Sequence, residues 1–228
     1  MRDDLKKAVE VLHSGGVILY PTDTVWGLGC DATSAEAVAR IYTIKRRADS
    51  KSMLVLTDSI AKVQAYTEEL PAVAFDLLDA SAPLSDSPAP LSDRSASLTD
   101  SSTSLTDRCT QRMVCERSRT VEGRPLTIIY PKARNLATNL TAEDGSIGIR
   151  ITNEVFSKAL CEAFRKPIVS TSANISGEPA PQCFAEISEE IRQAADYTVH
   201  FRQDDRTKAA PSSIIRIGTG GEVKIIRK

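Results

Sequence analysis

Short β-branched runs alternate along this chain with stretches of helical period, and few architectures accept that alternation. Val17 to Tyr20, Met53 to Leu56, Leu126 to Tyr130, Ile147 to Ile151, Ile168 to Ser170, Tyr197 to Phe201, Ser213 to Ile217 and Val223 to Ile226 read as strands. Between them, Asp3 to Ser14, Ala37 to Lys45, Ser59 to Tyr66, Leu70 to Ala80, Val155 to Phe164 and Ala185 to Ala194 carry helical spacing. Gly15-Gly16 supplies a stop for the first helix, and Thr33-Ser-Ala-Glu36 has capping-box spacing ahead of the second. Crossover helices support parallel pairing and the final Gly-Thr-Gly-Gly-Glu turn supports a hairpin, so the expected fold is an α/β domain with a mixed, twisted sheet.

The stretch from residue 81 to 123 breaks this pattern by repeating every seven residues. Leu84, Leu91, Leu98 and Leu105 recur, as do Asp86, Asp93, Asp100 and Asp107. One apolar position per heptad is too few for a coiled coil, and Pro83, Pro88 and Pro90 oppose helix. It reads as a low-complexity, disordered insertion in one domain spanning residues 1–228, with a binding or regulatory loop as the other reading.

Lys plus Arg number 29 against 30 Asp plus Glu, which leaves no bulk attraction to nucleic acid or anionic lipid. Any phosphate recognition is therefore local. The five cysteines form no CxxC pair and there are two histidines, so no metal site is expected. Their odd number, and an N-terminus without an apolar signal core, point to a reducing cytoplasm, and no apolar run has membrane-spanning length.

Four polar groupings could carry chemistry. The loop Pro21 to Asp31 follows a strand and offers Thr22, Asp23 and Thr24 either to a small polar ligand or to its own backbone. Lys45 and Arg47 close the second helix, as partners of its dipole or as a phosphate clamp; about 200° apart on a helix, they converge only if the helix ends there. Arg150 interrupts an apolar strand, opposite in direction to Ile147, Ile149 and Ile151, and is either solvated or available to an anion, solvation being the usual outcome. Ser170 to Gly177 is the densest polar cluster, a donor-rich loop at a strand's end or a plain helix cap, and a chain with two histidines gives its serines no hydrolytic triad.

Taken in order, PTDTVWGLGCDA, IKRRADSK, PLTIIYP, GIRIT, VSTSANISGEPAP and PSSIIRI resemble the Sua5/YrdC family of L-threonylcarbamoyl-adenylate synthases, in its short form. The resemblance implies a YrdC-like twisted open sheet around a concave basic cavity. It implies condensation of L-threonine, bicarbonate and ATP, with Mg²⁺, into threonylcarbamoyl-AMP and pyrophosphate, for transfer by a separate complex to an adenosine beside the tRNA anticodon. The family's Lys-x-Arg falls on Lys45 and Arg47 and its Ser-x-Asn on Ser172 and Asn174, the implied catalytic and ATP-binding groups. Thr127 and Ser212 match hydroxyls near the nucleotide, Thr22 the threonine-side loop and Arg150 an arginine suited to the amino-acid carboxylate. Trp26, Ala48 and Gly123-Arg124-Pro125 depart from the family pattern. Two other readings stand beside this one: a non-catalytic RNA-binding or ribosome-assembly factor, which would bind RNA with strong salt dependence and show no ATP chemistry, and a divergent family member with another activity.

Overall fold

A computed structural model describes residues 1–47, 53–81 and 125–228. The seven-residue repeat, Ala48 and Gly123-Arg124 lie outside the described residues. The helices are α1 (Arg2–His13), α2 (Ala35–Lys45), α3 (Ile60–Tyr66), α4 (Ala72–Ser81), α5 (Val155–Phe164) and α6 (Glu189–Ala194). The strands are β1 (Ile18–Tyr20), β2 (Gly27–Gly29), β3 (Leu54–Thr57), β4 (Leu126–Tyr130), β5 (Ile147–Ile151), β6 (Ile168–Ser172), β7 (Tyr197–Thr198), β8 (Ser213–Ile217) and β9 (Val223–Arg227).

Local chemistry explains most boundaries. Ala8 and Leu12 bury one stripe of α1, which stops where Gly15 takes a φ of 76° that residues with a Cβ avoid. The cap of α2 falls one residue later than its sequence spacing suggests. Ser34 Oγ accepts the Ala37 N–H at 3.2 Å, whereas Thr33 turns back to donate its N–H and hydroxyl to Asp31 Oδ1. Glu36 therefore closes no capping box. The stretch Ala185 to Ala194 is not one helix: Phe184–Glu186 forms a 3₁₀ turn, and Ser188 caps α6 by accepting the Ile191 N–H.

The sheet runs β7-β1-β2-β6-β3-β5-β4-β8-β9 and is mixed, with parallel pairs β1–β7, β3–β5 and β4–β8 and antiparallel pairs elsewhere. β2 lies inside the segment expected to be a loop, pairing with β1 and β6. β6 continues to Ser172, and β7 covers only Tyr197–Thr198 of the longer run expected there. The β8–β9 hairpin closes as expected.

Register sorts the side chains onto two faces, because paired residues share a face and neighbours along a strand alternate. Val55, Ile149, Ile128, Val169 and Ile215 share the closed face and are at most 2% exposed, in one core with Leu12, Ile41 and Leu160 of the helices. Ser172, Ser170, Leu54, Leu56, Gly148, Arg150 and Thr127 share the other, the open face, on which Ser172, Leu54 and Gly148 are partly exposed. A Cβ built on Gly148 would lie 3.6 to 3.9 Å from Thr127, Ile129 and Leu54, which independently places these side chains together.

Candidate active site

Lys45 is the last residue of α2, and Arg46 immediately after it adopts left-handed geometry (φ 49°, ψ 42°), so the chain turns at once. The condition for Lys45 and Arg47 to act together is met. Lys45 is only 2% exposed. Its Nζ donates to the carbonyl oxygens of Ser172 (2.5 Å) and Asn174 (2.7 Å), with Asn174 Oδ1 at 3.4 Å. An ammonium has three N–H donors, and here three oxygens face it. Ser176 N–H returns a bond to the Lys45 carbonyl at 2.9 Å, so the helix end and the loop after β6 are fastened in both directions. Burial lowers the Lys45 pKa to about 8, with the nearby Arg47 charge adding to the effect. A solvated helix-end cation is thus not what Lys45 is, whereas Arg47 is half-buried.

Asn174 is fixed from its amide side as well, donating to the carbonyls of Ile175 (3.0 Å) and Glu178 (2.7 Å). Ser172 Oγ makes no hydrogen bond among the described residues, which leaves a hydroxyl on the open face beside the Lys45 anchor.

The loop between β1 and β2 holds itself and is also held from outside. Thr22 Oγ1 donates to the Val25 carbonyl at 2.6 Å and accepts from Thr24 N–H, so its hydroxyl performs turn chemistry. Ser157 of α5 donates to the Pro21 carbonyl, and Ala173 N–H to the Trp26 carbonyl. Trp26 packs on Phe184 with ring centroids 4.9 Å apart. Arg150 is not solvated: it is 4% exposed, with Nη1 2.8 Å from Asp23 Oδ1 and 3.4 Å from Thr24 Oγ1. Burial raises the Asp23 carboxyl pKa, opposed by the Arg150 charge.

Thr127 Oγ1 donates to Ser212 Oγ at 3.1 Å, and Arg227 secures Ser212 through its carbonyl (2.9 Å) and hydroxyl (3.1 Å). This group sits at β4, β8 and β9, across β3 and β5 from Ser172, so the eight sequence-derived candidates fall into two polar centres on one face and the adjoining Thr22–Arg150 loop. Asp23 and Arg227 complete these centres. Asp23 was visible as a carboxylate among threonines, but its partner lies 127 residues away, and nothing near Arg227 marks it.

A cavity of about 20 Å³, room for roughly one water, is lined by Thr22, Thr24, Trp26, Arg202, Asp205 and Thr207. A groove of about 420 Å³ lies elsewhere, between residues 69–73 and 219–221, and touches none of the candidates. No group of three His, Cys, Asp or Glu suited to a metal occurs among the described residues. Cys30 and Cys161 are buried, and burial pushes both thiols up, Cys161 to about 12, so neither is a nucleophile near neutrality. No helix among the described residues is long and apolar enough to cross a membrane.

The chain is 31% identical to the threonylcarbamoyl-AMP synthase of Xanthomonas euvesicatoria over 96% of both chains. It is 30% identical to that of Pseudoalteromonas translucida, over 84% of this chain and 82% of the relative. Among solved structures, it superposes on Escherichia coli YciO with a TM-score of 0.68 at 21% identity, covering all of this chain and 90% of YciO. It superposes on P. abyssi Sua5 complexed with L-threonine with a TM-score of 0.67 at 20% identity, covering 98% of this chain but only 53% of Sua5. At that identity the structural likeness is one of fold. The family model Sua5_yciO_yrdC, described as telomere recombination, matches residues 10–86 and 90–228, and the chain belongs to that family.

Proposed function

We propose that this protein condenses L-threonine, bicarbonate and ATP into threonylcarbamoyl-AMP and pyrophosphate on the open face of its sheet. The reading is supported by relatives named threonylcarbamoyl-AMP synthase that match 84% and 96% of the chain. The observation that carries it here is the Lys45 anchor, which draws the Lys-x-Arg and Ser-x-Asn motifs together although 127 residues separate Lys45 from Ser172.

In this reading Arg47, Ser172 and Asn174 face the phosphates, with Lys45 holding their geometry and its charge close by. Thr127 and Ser212 serve the nucleotide's other end, and Thr22 and Arg150 the amino acid. Mg²⁺ accompanying ATP would supply charge neutralisation for the pyrophosphate, while the protein's share is positioning and charge stabilisation. Attack of the threonine amine on the bicarbonate carbon, with hydroxide leaving carbon and a proton leaving nitrogen as one molecule of water, gives a carbamate. Carbamate oxygen then attacks the α-phosphorus as pyrophosphate leaves. No enzyme nucleophile is required. The labile product passes to a transferase complex that modifies adenosine beside the tRNA anticodon; with 24 acidic and 24 basic residues outside 81–123, direct RNA contact is weak and salt-dependent. The test is pyrophosphate release from ATP with threonine and bicarbonate omitted in turn. Release requiring both supports the proposal, and equal release without threonine refutes it.

A further inference from the structure

Arg150 has a division of labour among its nitrogens. Nη1 is occupied, bound to Asp23 Oδ1 at 2.8 Å and near Thr24 Oγ1 at 3.4 Å. Nε is shielded from water and makes no hydrogen bond, and Nη2 makes none among the described residues. A guanidinium offers paired donors along its edges, and the edge formed by Nε and Nη2 matches the two oxygens of a carboxylate. A shielded, unmet donor costs free energy that an arriving acceptor returns. Asp23 therefore does more than neutralise Arg150. By holding Nη1 it fixes which edge remains.

The pair is built to hold that orientation. Asp23 comes from the β1–β2 loop, whose ends are fastened by Ser157 at Pro21 and Ala173 at Trp26, and Arg150 comes from β5 in the sheet. A loop clamp alone would need only the Asp23 contact. It would not need a guanidinium with its second edge unpaired on the same face as Ser170 and Ser172.

We propose that Asp23 is a positioning residue that anchors Nη1 of Arg150 and so presents the Nε–Nη2 edge as a two-pronged fork for the carboxylate of the amino-acid substrate. This rests on the synthase reading above and adds to it the residue that sets recognition of the free α-carboxylate. Asp23 does not touch the substrate; without it the guanidinium swings, and the fork is lost while nucleotide binding is kept.

The experiment compares L-threonine with L-threoninamide, which lacks the carboxylate, in the wild-type protein and in Asp23→Asn and Asp23→Glu, by threonine-dependent pyrophosphate release and by thermal shift with each compound. Wild-type protein is expected to favour threonine strongly. Asp23→Asn should raise KM for threonine about 10- to 100-fold, leave KM for ATP near its original value and shrink the preference for threonine over its amide to a few-fold. Asp23→Glu should restore part of the preference. If Asp23→Asn keeps the full preference, or raises the KM for threonine and ATP alike, the proposal is overturned. Should that variant be too unstable to assay, Asp23→Ser, which also removes the carboxylate that holds Nη1, decides by the same readouts. Wild-type protein that releases no pyrophosphate yet still gains thermal stability from threonine over its amide refutes the synthase reading and leaves the fork standing.

Discussion

Lys45 and Arg47 are two cations two residues apart with opposite circumstances, and their variants should separate accordingly. Lys45→Ala removes a buried ammonium and strips its bonds from the carbonyls of Ser172 and Asn174. We expect a loss of about 2–4 kcal/mol in urea unfolding, and a loss under about 1 kcal/mol would return Lys45 to the surface class. Arg47→Ala, at a half-buried position, should cost under about 1 kcal/mol of stability while cutting turnover far more; unchanged turnover would remove Arg47 from the site. The Lys45 ammonium also titrates low. Its folded pKa of about 8 lies below the ordinary 10.5, so between those values the unfolded chain binds more protons, and this group's contribution to stability rises with pH across that window. Nitrogen-detected NMR of the lysine side chains should show one Nζ titrating near pH 8, absent in Lys45→Ala. A lysine spectrum with every Nζ near 10.5 contradicts the burial argument.

Two glycines on one face of the sheet test how differently it is packed at β2 and at β5. Gly29 in β2 has Tyr20 Cε1 2.6 Å and the Val169 carbonyl 2.9 Å from where a Cβ would sit, so Gly29→Ala must displace backbone and should cost roughly 1–3 kcal/mol. Gly148 on the open face has only ordinary contacts at 3.6 Å and beyond. Gly148→Ala should therefore melt like the parent, within about 0.5 kcal/mol, while raising KM for ATP if the nucleotide lies beside Thr127. Equal destabilisation in both variants would deny this difference in local packing. These strands also show what was legible in advance. β4, β5 and β8 were bounded correctly because Leu126–Tyr130, Ile147–Ile151 and Ser213–Ile217 are apolar runs between turn residues. β2 was missed because Gly-Leu-Gly has no strand propensity of its own and is extended only by pairing with β1 and β6. The candidate residues could be named from their motifs, but their bonding could not. Arg150 reads as solvated in its own strand and is buried by an aspartate 127 residues away, and Lys45 reads as a helix-end charge until β6 brings Ser172 to it.

At the scale of the molecule, the repeat between α4 and β4 interrupts a sheet that is continuous without it. Replacing residues 82–122 with a short Gly/Ser linker should leave melting and activity close to the parent, since loop length alone changes closure entropy by only about 0.6 kcal/mol per doubling. A variant that melts many degrees lower, or that folds without activity, would show that the repeat supports the domain or the site. The remaining claim is that both polar centres of the open face act on one reaction, uniting threonine, bicarbonate and ATP. Its most direct measurement is mass spectrometry of the product formed from ATP, Mg²⁺, L-threonine and ¹³C-labelled bicarbonate. The account predicts an adenylate that contains threonine and one ¹³C, with pyrophosphate in equal amount; ATP consumed without a labelled, threonine-containing adenylate would contradict it.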